Sequence, residues 1–225
     1  MDIYRTFTEL KAIEQEGVDY FVRIMPRKNA HTVILAPHGG AIEPGTTEVA
    51  RRIAGSELSF AAFDGMKSAG NACLHITSTN FDEPRCLDLV QAADYVVAIH
   101  GEGSKEPIVF LGGRDTGLEQ KIGMALLRHG YAVRTHTDPE LQGIATTNIC
   151  NRGQCGAGVQ LELSVGLRKT FFFSLTSEGR RRPTSELFKF ADAVREGLCA
   201  GDALQPSRSL LSVSGSRIKY SWNRI

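Results

Sequence analysis

The chain has 225 residues, of which 42% are hydrophobic and 23% are charged. These values are typical of one globular domain and exclude a disordered chain, a collagen-like repeat and a coiled coil. The formal net charge is +1, but the last 20 residues hold four basic residues and no acidic one, so residues 1–205 carry a net charge of −3. We therefore do not expect nucleic acid to be the main partner of this chain.

The sequence also lacks the usual signs of a membrane or secreted protein. No stretch approaches the ~18 apolar residues of a membrane span, and the acidic N-terminal segment has no signal-peptide core. The five cysteines are odd in number and include no Cys-x-x-Cys pair, which argues against a disulfide framework and a zinc ribbon. We expect a cytoplasmic protein with reduced thiols and no membrane partner.

Strand and helix patterns alternate along the chain. Apolar runs bounded by glycine, proline or polar clusters predict strands, and four segments between them repeat apolar residues at helical spacing. This alternation predicts a single α/β domain with a mixed, mostly parallel sheet and helices on both faces. The predicted strands are 20–25, 31–36, 59–62, 72–77, 95–100, 107–111, 132–135, 159–164 and 170–174, and the predicted helices are 46–54, 84–93, 117–129 and 185–199.

At two places a predicted core strand leads into a histidine that is followed by glycine. His38 precedes two glycines and then Glu43, which lies five residues further on, and His100 ends the strand at 95–100. Glycines let the backbone fold back, so His38 and Glu43 can meet at one point, and parallel strands present their carboxyl ends at one edge of a sheet. Two histidines and a glutamate form a common catalytic zinc shell, because three protein ligands leave a fourth position for water. The sequence therefore predicts Zn²⁺ bound by His38, Glu43 and His100.

Other roles for the histidines stay open. A single histidine at a strand end is more often structural or hydrogen-bonded than a metal ligand. His75 could compete for the ligand role, but its place inside the predicted strand 72–77 favours a hydrogen-bonded core histidine.

A third stretch places one carboxylate, Glu162, among apolar residues of the predicted strand 159–164. A carboxylate there needs a cationic partner or a raised pKa. Beside a metal-bound water, Glu162 would act as general base and then as proton donor to the leaving amine. The alternative is a structural salt bridge to an arginine. Cys150 and Cys155, in the preceding loop, are expected to be free structural thiols.

Polar residues in the loops are candidates for substrate binding. Arg152, on a glycine-rich loop, suits bidentate capture of a substrate carboxylate, and a solvated loop charge is the alternative. Asp82 and Glu83 are expected to begin a helix and not to bind metal. The complete set of predicted substrate-binding residues is Arg152, Asn151, Arg85, Asn80 and Arg114.

Together these stretches resemble the phage-type poly-γ-glutamate hydrolase family, in order and over about residues 15–200. They read HGGAIEPGTTE (38–48), NFDEP (80–84), ADYVVAIHG (93–101), GGRD (112–115) and NRGQCGAGVQLE (151–162). The resemblance implies a zinc-carboxypeptidase-like α/β fold and cleavage of γ-glutamyl amide bonds. It also implies that His38, Glu43 and His100 bind zinc and that Glu162 is the catalytic base.

The implied organisation is a catalytic domain at 1–203 followed by a basic extension at 204–225, which is rich in serine and arginine. The substrate of the catalytic domain would be an acidic polymer or a small acidic amide. Two alternatives remain: a zinc deacylase or amidase that acts on another acidic amide, and a non-enzymatic phage-related protein that binds nucleic acid through the arginines at 180–182 and the basic tail.

Overall fold

Within residues 2–200, which the computed structural model describes, a seven-stranded sheet has the order β1-β3-β2-β4-β7-β5-β6. The predicted boundary at 203 and the predicted basic extension at 204–225 lie outside the described residues. The strands are β1 (Tyr20–Met25), β2 (Thr32–Gly40), β3 (Ser59–Gly65), β4 (Tyr95–Glu102), β5 (Ile108–Gly113), β6 (Ala132–Thr135) and β7 (Val159–Ser164).

Four of the six strand pairs are parallel. The parallel pairs are β2 with β3, β2 with β4, β4 with β7, and β5 with β6. The antiparallel pairs are β1 with β3 and β5 with β7. The predicted mixed, mostly parallel sheet is therefore confirmed, and the carboxyl ends of β3, β2, β4 and β7 meet at one edge.

Helices cover both faces of this sheet, as predicted. On what we call the helix-rich face, α2, α4, α5 and α7 pack on the sheet, and the opposite face is covered by α1, α3 and short 3-10 segments. The helices are α1 (Phe7–Lys11), α2 (Thr46–Ala54), α3 (Pro84–Gln91), α4 (Thr116–Arg128), α5 (Val165–Phe171), α6 (Ser177–Arg180) and α7 (Ser185–Ala200). The 3-10 segments are Asn71–Leu74, Pro139–Leu141 and Ile149–Asn151.

Side chains in the central strands alternate between the two cores. In β2, Ile34 and Ala36 pack on the helix-rich face, whereas Val33 and Leu35 pack on the opposite face. A central strand that is buried on both faces is a continuous apolar run, which explains why these strands could be predicted from the sequence. Within residues 2–200, no helix is both long and apolar enough to cross a membrane.

The predicted start of α3 is also confirmed. The Glu83 carboxylate accepts a hydrogen bond from the Cys86 amide at 2.8 Å, and Pro84 occupies the first turn. Asp82 accepts a hydrogen bond from the Phe7 amide at 2.6 Å, which ties α1 to the start of α3. Both acids therefore have structural roles, as expected from their position before a helix.

Two predicted strands are wrong. Residues 72–77 form a 3-10 turn and then a short extended crossing, in which Leu74 and Ile76 are buried against the opposite face of the sheet. Buried and more exposed residues alternate here as they do in a strand, but the segment crosses one face of the sheet and does not pair with any strand of it. The predicted strand 170–174 begins inside α5, because the Ser164 hydroxyl caps that helix directly after β7. The aromatic run ends this helix, and Phe171 packs on Phe190 of α7 with ring centroids 5.0 Å apart.

Candidate metal centre

An extra residue in β2 determines where His38 points. Ala36 pairs with Ala62, but the next pair joins Gly39 to Asp64, so β2 contains one residue more than β3 over this interval. A one-residue bulge reverses the face on which the following side chains lie. Without it, His38 would follow Ala36 onto the helix-rich face. Instead its Nε2 lies 2.7 Å from the Ile76 carbonyl oxygen, on the opposite face.

The loop after β2 returns Glu43 to His38. Gly40 has a φ of +64°, a conformation that suits glycine, and the Glu43 amide donates to the His38 carbonyl at 2.9 Å. Glu43 Oε1 then lies 3.1 Å from His38 Nδ1, and Glu43 Oε2 accepts a hydrogen bond from the Gly101 amide at 2.8 Å. The Glu43 carboxylate is therefore fixed between the ends of β2 and β4.

His100 completes the group from the end of β4. Its Nδ1 lies 3.2 Å from His38 Nδ1 and 3.8 Å from Glu43 Oε2, and the rings of both histidines are buried. Ligands bound tetrahedrally at zinc distances of about 2.0–2.2 Å lie roughly 3.3–3.6 Å from one another. The observed separations are close to this range, so the donor atoms of His38, Glu43 and His100 fit one small cation.

The structure places His75 beside this group, and the prediction that it lies inside an apolar strand is wrong. Its ring centroid is 3.9 Å from that of His38, and its Nε2 lies 4.0 Å from Glu43 Oε1. Potential ligand atoms of His38, Glu43 and His75 all lie within 4.8 Å of one another, so His75 offers an alternative third donor. Nδ1 of His75 pairs with Asp2 at 2.8 Å, an arrangement common in histidines that bind metal through Nε2, and Nδ1 of His100 lies 3.2 Å from Nδ1 of His38. The geometry therefore admits either His100 or His75 as the third donor.

The pKa values of the two buried histidines shift in opposite directions. Burial lowers the pKa of His100 to about 3, so its ring stays neutral and can present a lone pair. Burial also acts to lower the pKa of His38, but pairing with Glu43 outweighs it and the net shift is upward. Burial acts to raise the pKa of Glu43, and the neighbouring His38 reverses that shift, so its pKa is lowered. The pair of imidazoles and the carboxylate is thus a donor set that a divalent cation would satisfy.

Glu162 lies next to His100 across the sheet. The two residues pair in the register of β4 and β7, and Glu162 is 4% exposed. Burial raises the pKa of Glu162 well above its ordinary value, and repulsion from Glu43 and Glu102 adds to the shift. Within residues 2–200 Glu162 forms no salt bridge, so the alternative of a structural arginine partner is not supported.

A chain of amides holds the Glu162 side chain in place. Gln160 Nε2 donates to Glu162 Oε1 at 2.8 Å, and Asn148 Nδ2 donates to Gln160 Oε1 at 3.0 Å. All three side chains are buried. Sequence reasoning missed Gln160, although it lies two residues before Glu162 and therefore on the same face of the strand.

Arg168 is a second residue that sequence reasoning missed. Its buried guanidinium donates to the carbonyls of Leu163, Pro44 and Glu102 at 3.0, 2.7 and 2.9 Å. These carbonyls belong to the end of β7, the Glu43 loop and the end of β4. A β-carbon at Gly101 would lie 2.7 Å from Arg168 Cζ, so a glycine is needed at that position. Arg168 thus joins the three segments that present Glu162, Glu43 and His100.

A cleft of about 240 Å³ opens over these residues. None of the five predicted substrate-binding residues lines it. Its walls are His38, Glu43, His75, Thr77, Ser78, Thr79, His100, Gly101, Glu102, Gly103, Glu140, Leu141, Asn148, Gln160 and Glu162.

The five polar candidates have other surroundings. The Asn151 side chain bonds to backbone groups of Gly143, Ala145 and Gly158, and is buried. Arg85 pairs with Glu16 and Glu83, and Arg152 donates to the Phe81 carbonyl. Asn80 and Arg114 are exposed outside the cleft. The polar groups of Asn151 and Arg85 are paired within the protein, and the substrate roles of all five residues stay predictions.

The mixed α/β sheet, with metal-binding residue types at its carboxyl edge, has the zinc-carboxypeptidase-like fold. The sequence profile of the poly-gamma-glutamate hydrolase family matches residues 4–193, and the chain belongs to that family. It is 40% identical to the Bacillus subtilis (strain 168) UPF0714 protein YndL over 179 residues, which cover 78% of this chain and 70% of YndL. It is 37% identical to the SPbeta prophage-derived UPF0714 protein YoqZ of the same strain over 188 residues, which cover 83% of this chain and 68% of YoqZ.

Solved structures agree with this membership. A bacteriophage poly-gamma-glutamate hydrolase superposes with a TM-score of 0.86 at 31% identity, covering 91% of this chain and all of the other. The zinc-free apo form of YndL superposes with a TM-score of 0.82 at 35% identity, covering 89% of this chain and 99% of the other. The predicted family and fold class are thereby confirmed, and the function is of the poly-γ-glutamate hydrolase type.

Proposed function

We propose that the chain is a zinc-dependent amidohydrolase that cleaves the γ-glutamyl amide bonds of poly-γ-glutamate. The principal support is the convergence of His38, Glu43 and His100, whose donor atoms lie 3.1–3.8 Å apart, with Glu162 adjacent to His100 in the sheet. Family membership and the zinc-free description of YndL agree with this assignment.

His38 and His100 would hold the zinc through Nδ1, and Glu43 would hold it through its carboxylate. For His38 this choice follows from Nε2, which already faces the Ile76 carbonyl and so fixes the ring. When bound, zinc would lower the pKa of a water toward ~7 and polarise the scissile carbonyl.

Glu162 would move the protons of the reaction. The amides of Gln160 and Asn148 hold its carboxylate in one orientation, so it can accept a proton from the attacking water. It would then return that proton to the nitrogen of the leaving amine, which completes amide hydrolysis. Its raised pKa suits this second step, because a group that donates a proton must first hold it at the working pH.

Metal content and product size test this proposal together. The wild-type protein should bind about one zinc per chain and shorten poly-γ-glutamate, because the site has three protein ligands and an open position. His38→Ala should lose both properties while its circular dichroism spectrum is unchanged. His129→Ala, a surface substitution at the end of α4, is the matched control and should retain both.

A protein that binds zinc but leaves poly-γ-glutamate intact would contradict the proposed substrate. Activity on N-acyl amino acids or other small acidic amides would then favour the alternative zinc amidase. Retention of zinc and activity by His38→Ala would contradict the site.

A further inference from the structure

A second cleft, of about 580 Å³, lies beside the candidate metal centre and is larger than the cleft that opens over it. We call it the cationic cleft, because five basic side chains line it and only two acidic ones do. The acidic residues are Glu48 and Asp64. The basic residues are Arg23, Arg51, Lys67, Arg180 and Arg181.

The cationic cleft is at the same edge of the sheet as the metal centre. It includes the carboxyl ends of β3 and β2, whereas the metal centre lies at the ends of β2, β4 and β7. The loop from Gly40 to Glu43 separates the two. Gly40 and Ala41 form part of the wall of the cationic cleft, and Glu43 lines the metal centre. A chain that leaves the metal centre across this loop would enter the cationic cleft.

Three of the five cations are already paired and keep the walls of the cleft in place. Arg23 binds Asp64 at 2.5 Å, Arg180 binds Glu48 at 2.8 Å, and Lys67 binds Glu14 at 2.6 Å. These pairs join β1 to β3, α6 to α2, and the Lys67 loop to the segment after α1. Their acidic partners are thereby occupied.

The other two cations are available to a ligand. Within residues 2–200 no acidic side chain pairs with Arg51, which is exposed on α2. The side chain of Arg181 is 77% exposed and forms a long, solvent-exposed ion pair of 3.9 Å with Glu178, which a polyanion could replace. The three arginines at 180–182 therefore have different surroundings. Arg180 pairs with Glu48 between two helices, Arg182 lies over the Phe173 ring, and Arg181 lines the cleft.

We propose that the cationic cleft binds the part of a poly-γ-glutamate chain next to the scissile bond. A γ-linkage uses the side-chain carboxyl of each glutamate, so every repeat keeps a free α-carboxylate. Such a chain is a regular polyanion, and a cleft with exposed guanidinium groups would attract it and orient it. This inference rests on the proposed function and adds a reason for preferring a polymer to a small amide.

A double substitution, Arg51→Glu with Arg181→Glu, tests the cleft without touching the metal centre. We expect its KM for long poly-γ-glutamate to rise about tenfold, because attraction by a charged cleft is lost and replaced by repulsion. Its kcat, its zinc content and its kcat/KM for a γ-glutamyl dipeptide should stay within about twofold of wild type. Raising the salt concentration should weaken polymer binding by wild type more than by the double variant.

Arg134→Glu is the matched control for the single variants Arg51→Glu and Arg181→Glu, because each of the three changes the charge by the same amount and Arg134 lies on β6, at the other end of the strand order. Equal losses on polymer and dipeptide, or an equal rise in KM for Arg134→Glu, would overturn the inference.

Binding without turnover separates failure of the cleft from failure of the proposed function. Glu162→Gln protein, with and without the double substitution, is titrated with fluorescent poly-γ-glutamate and with DNA of the same charge. Polymer binding that depends on Arg51 and Arg181 would support the cleft even if the wild type shows no hydrolysis. Absence of polymer binding, or tighter binding of DNA, would overturn the inference, and the latter result would favour a nucleic-acid ligand.

Discussion

The candidate metal centre and the cationic cleft share one edge of the sheet but are built in opposite ways. The metal centre places few groups, most of them buried and fixed by further hydrogen bonds, at separations of 3.1–3.8 Å. The cationic cleft spreads its charges over a larger space, and its two available cations, Arg51 and Arg181, are exposed. Bond cleavage requires donor atoms held at fixed distances, whereas attraction of a charged polymer tolerates mobile side chains.

This contrast has a practical consequence for substitutions. A change in the metal centre should reduce activity on every substrate and act mainly on kcat. A change in the cationic cleft should act on the polymer alone and mainly on KM. The predictions below test whether the two regions are as separate as their construction indicates.

The largest effect on activity is expected at His100, the proposed third zinc ligand. His100→Ala should lose its zinc and at least about a thousandfold of its activity, because metal assistance is worth several kcal/mol and 1.36 kcal/mol is tenfold in rate. His75→Ala removes a neighbouring imidazole and should lose less than about tenfold. Zinc content by atomic emission and rates on poly-γ-glutamate measure both. The reverse order would assign the ligand role to His75.

The second largest effect on activity is expected at Glu162, the proposed general base. Glu162→Gln keeps the shape of the side chain but removes the carboxylate, so kcat should fall by about 10²–10⁴ on polymer and dipeptide alike. Zinc content should match that of wild type, because Glu162 is not among the proposed ligands. A variant that loses zinc as well would show that Glu162 binds the metal.

A smaller effect is expected at Gln160, which contacts Glu162 and not the reacting atoms. Gln160→Leu removes the amide that donates to Glu162 and leaves Asn148 Nδ2 without its acceptor. We expect kcat to fall by about 10–100-fold, as is typical of residues that orient a catalytic group. KM for the polymer should not change. Gln160→Glu, which keeps an acceptor for Asn148 but cannot donate in its ionised form, should not restore kcat.

The smallest effect concerns the rim of the cationic cleft. The hydrogen bond from Lys67 lowers the pKa of the Glu14 carboxyl below its ordinary value of 4.5, although burial opposes this shift. Because the folded-state pKa of Glu14 is lowered, its ionised carboxylate stabilises the folded protein above about pH 4.5. This stabilisation is lost as the pH falls below that value. The thermal midpoint of Glu14→Gln should therefore fall less than that of wild type between pH 7 and pH 3.

Glu178→Gln, at an exposed carboxylate, is the control for this pH effect and should follow the wild type. Parallel curves for Glu14→Gln and wild type would show that the Lys67 pair adds nothing to the stability of the cleft wall.

Parallel strands present their carboxyl ends at one edge of a sheet, which explains why much of the candidate site could be predicted from the sequence. His38, His100 and Glu162 each lie in a buried strand at one edge of a mostly parallel sheet, so local patterns were sufficient to bring them together. Local patterns do not reveal what surrounds the five residues predicted to bind substrate. The amide of Asn151 bonds to backbone groups on both sides of it in the chain, which only the folded loop brings together.

The two wrong strands have the same kind of cause. The chain at 72–77 alternates in burial because it crosses a sheet face, and the run at 170–174 belongs partly to a helix capped by Ser164. Tertiary context overrode local preference in both cases. His75 lies in the first of these segments, so predicting a strand there also misplaces His75.

The bulge at Pro37 and His38 makes the spacing of β2 as important as its residue types. Deleting one residue there would rotate His38 into the packed interior beneath α2, while every ligand type remained in the sequence. An engineer who wished to transplant this centre into another parallel sheet would have to copy the irregular strand together with its side chains. Among distant relatives, an alignment gap at this point would separate chains that can assemble the centre from chains that merely contain its residues.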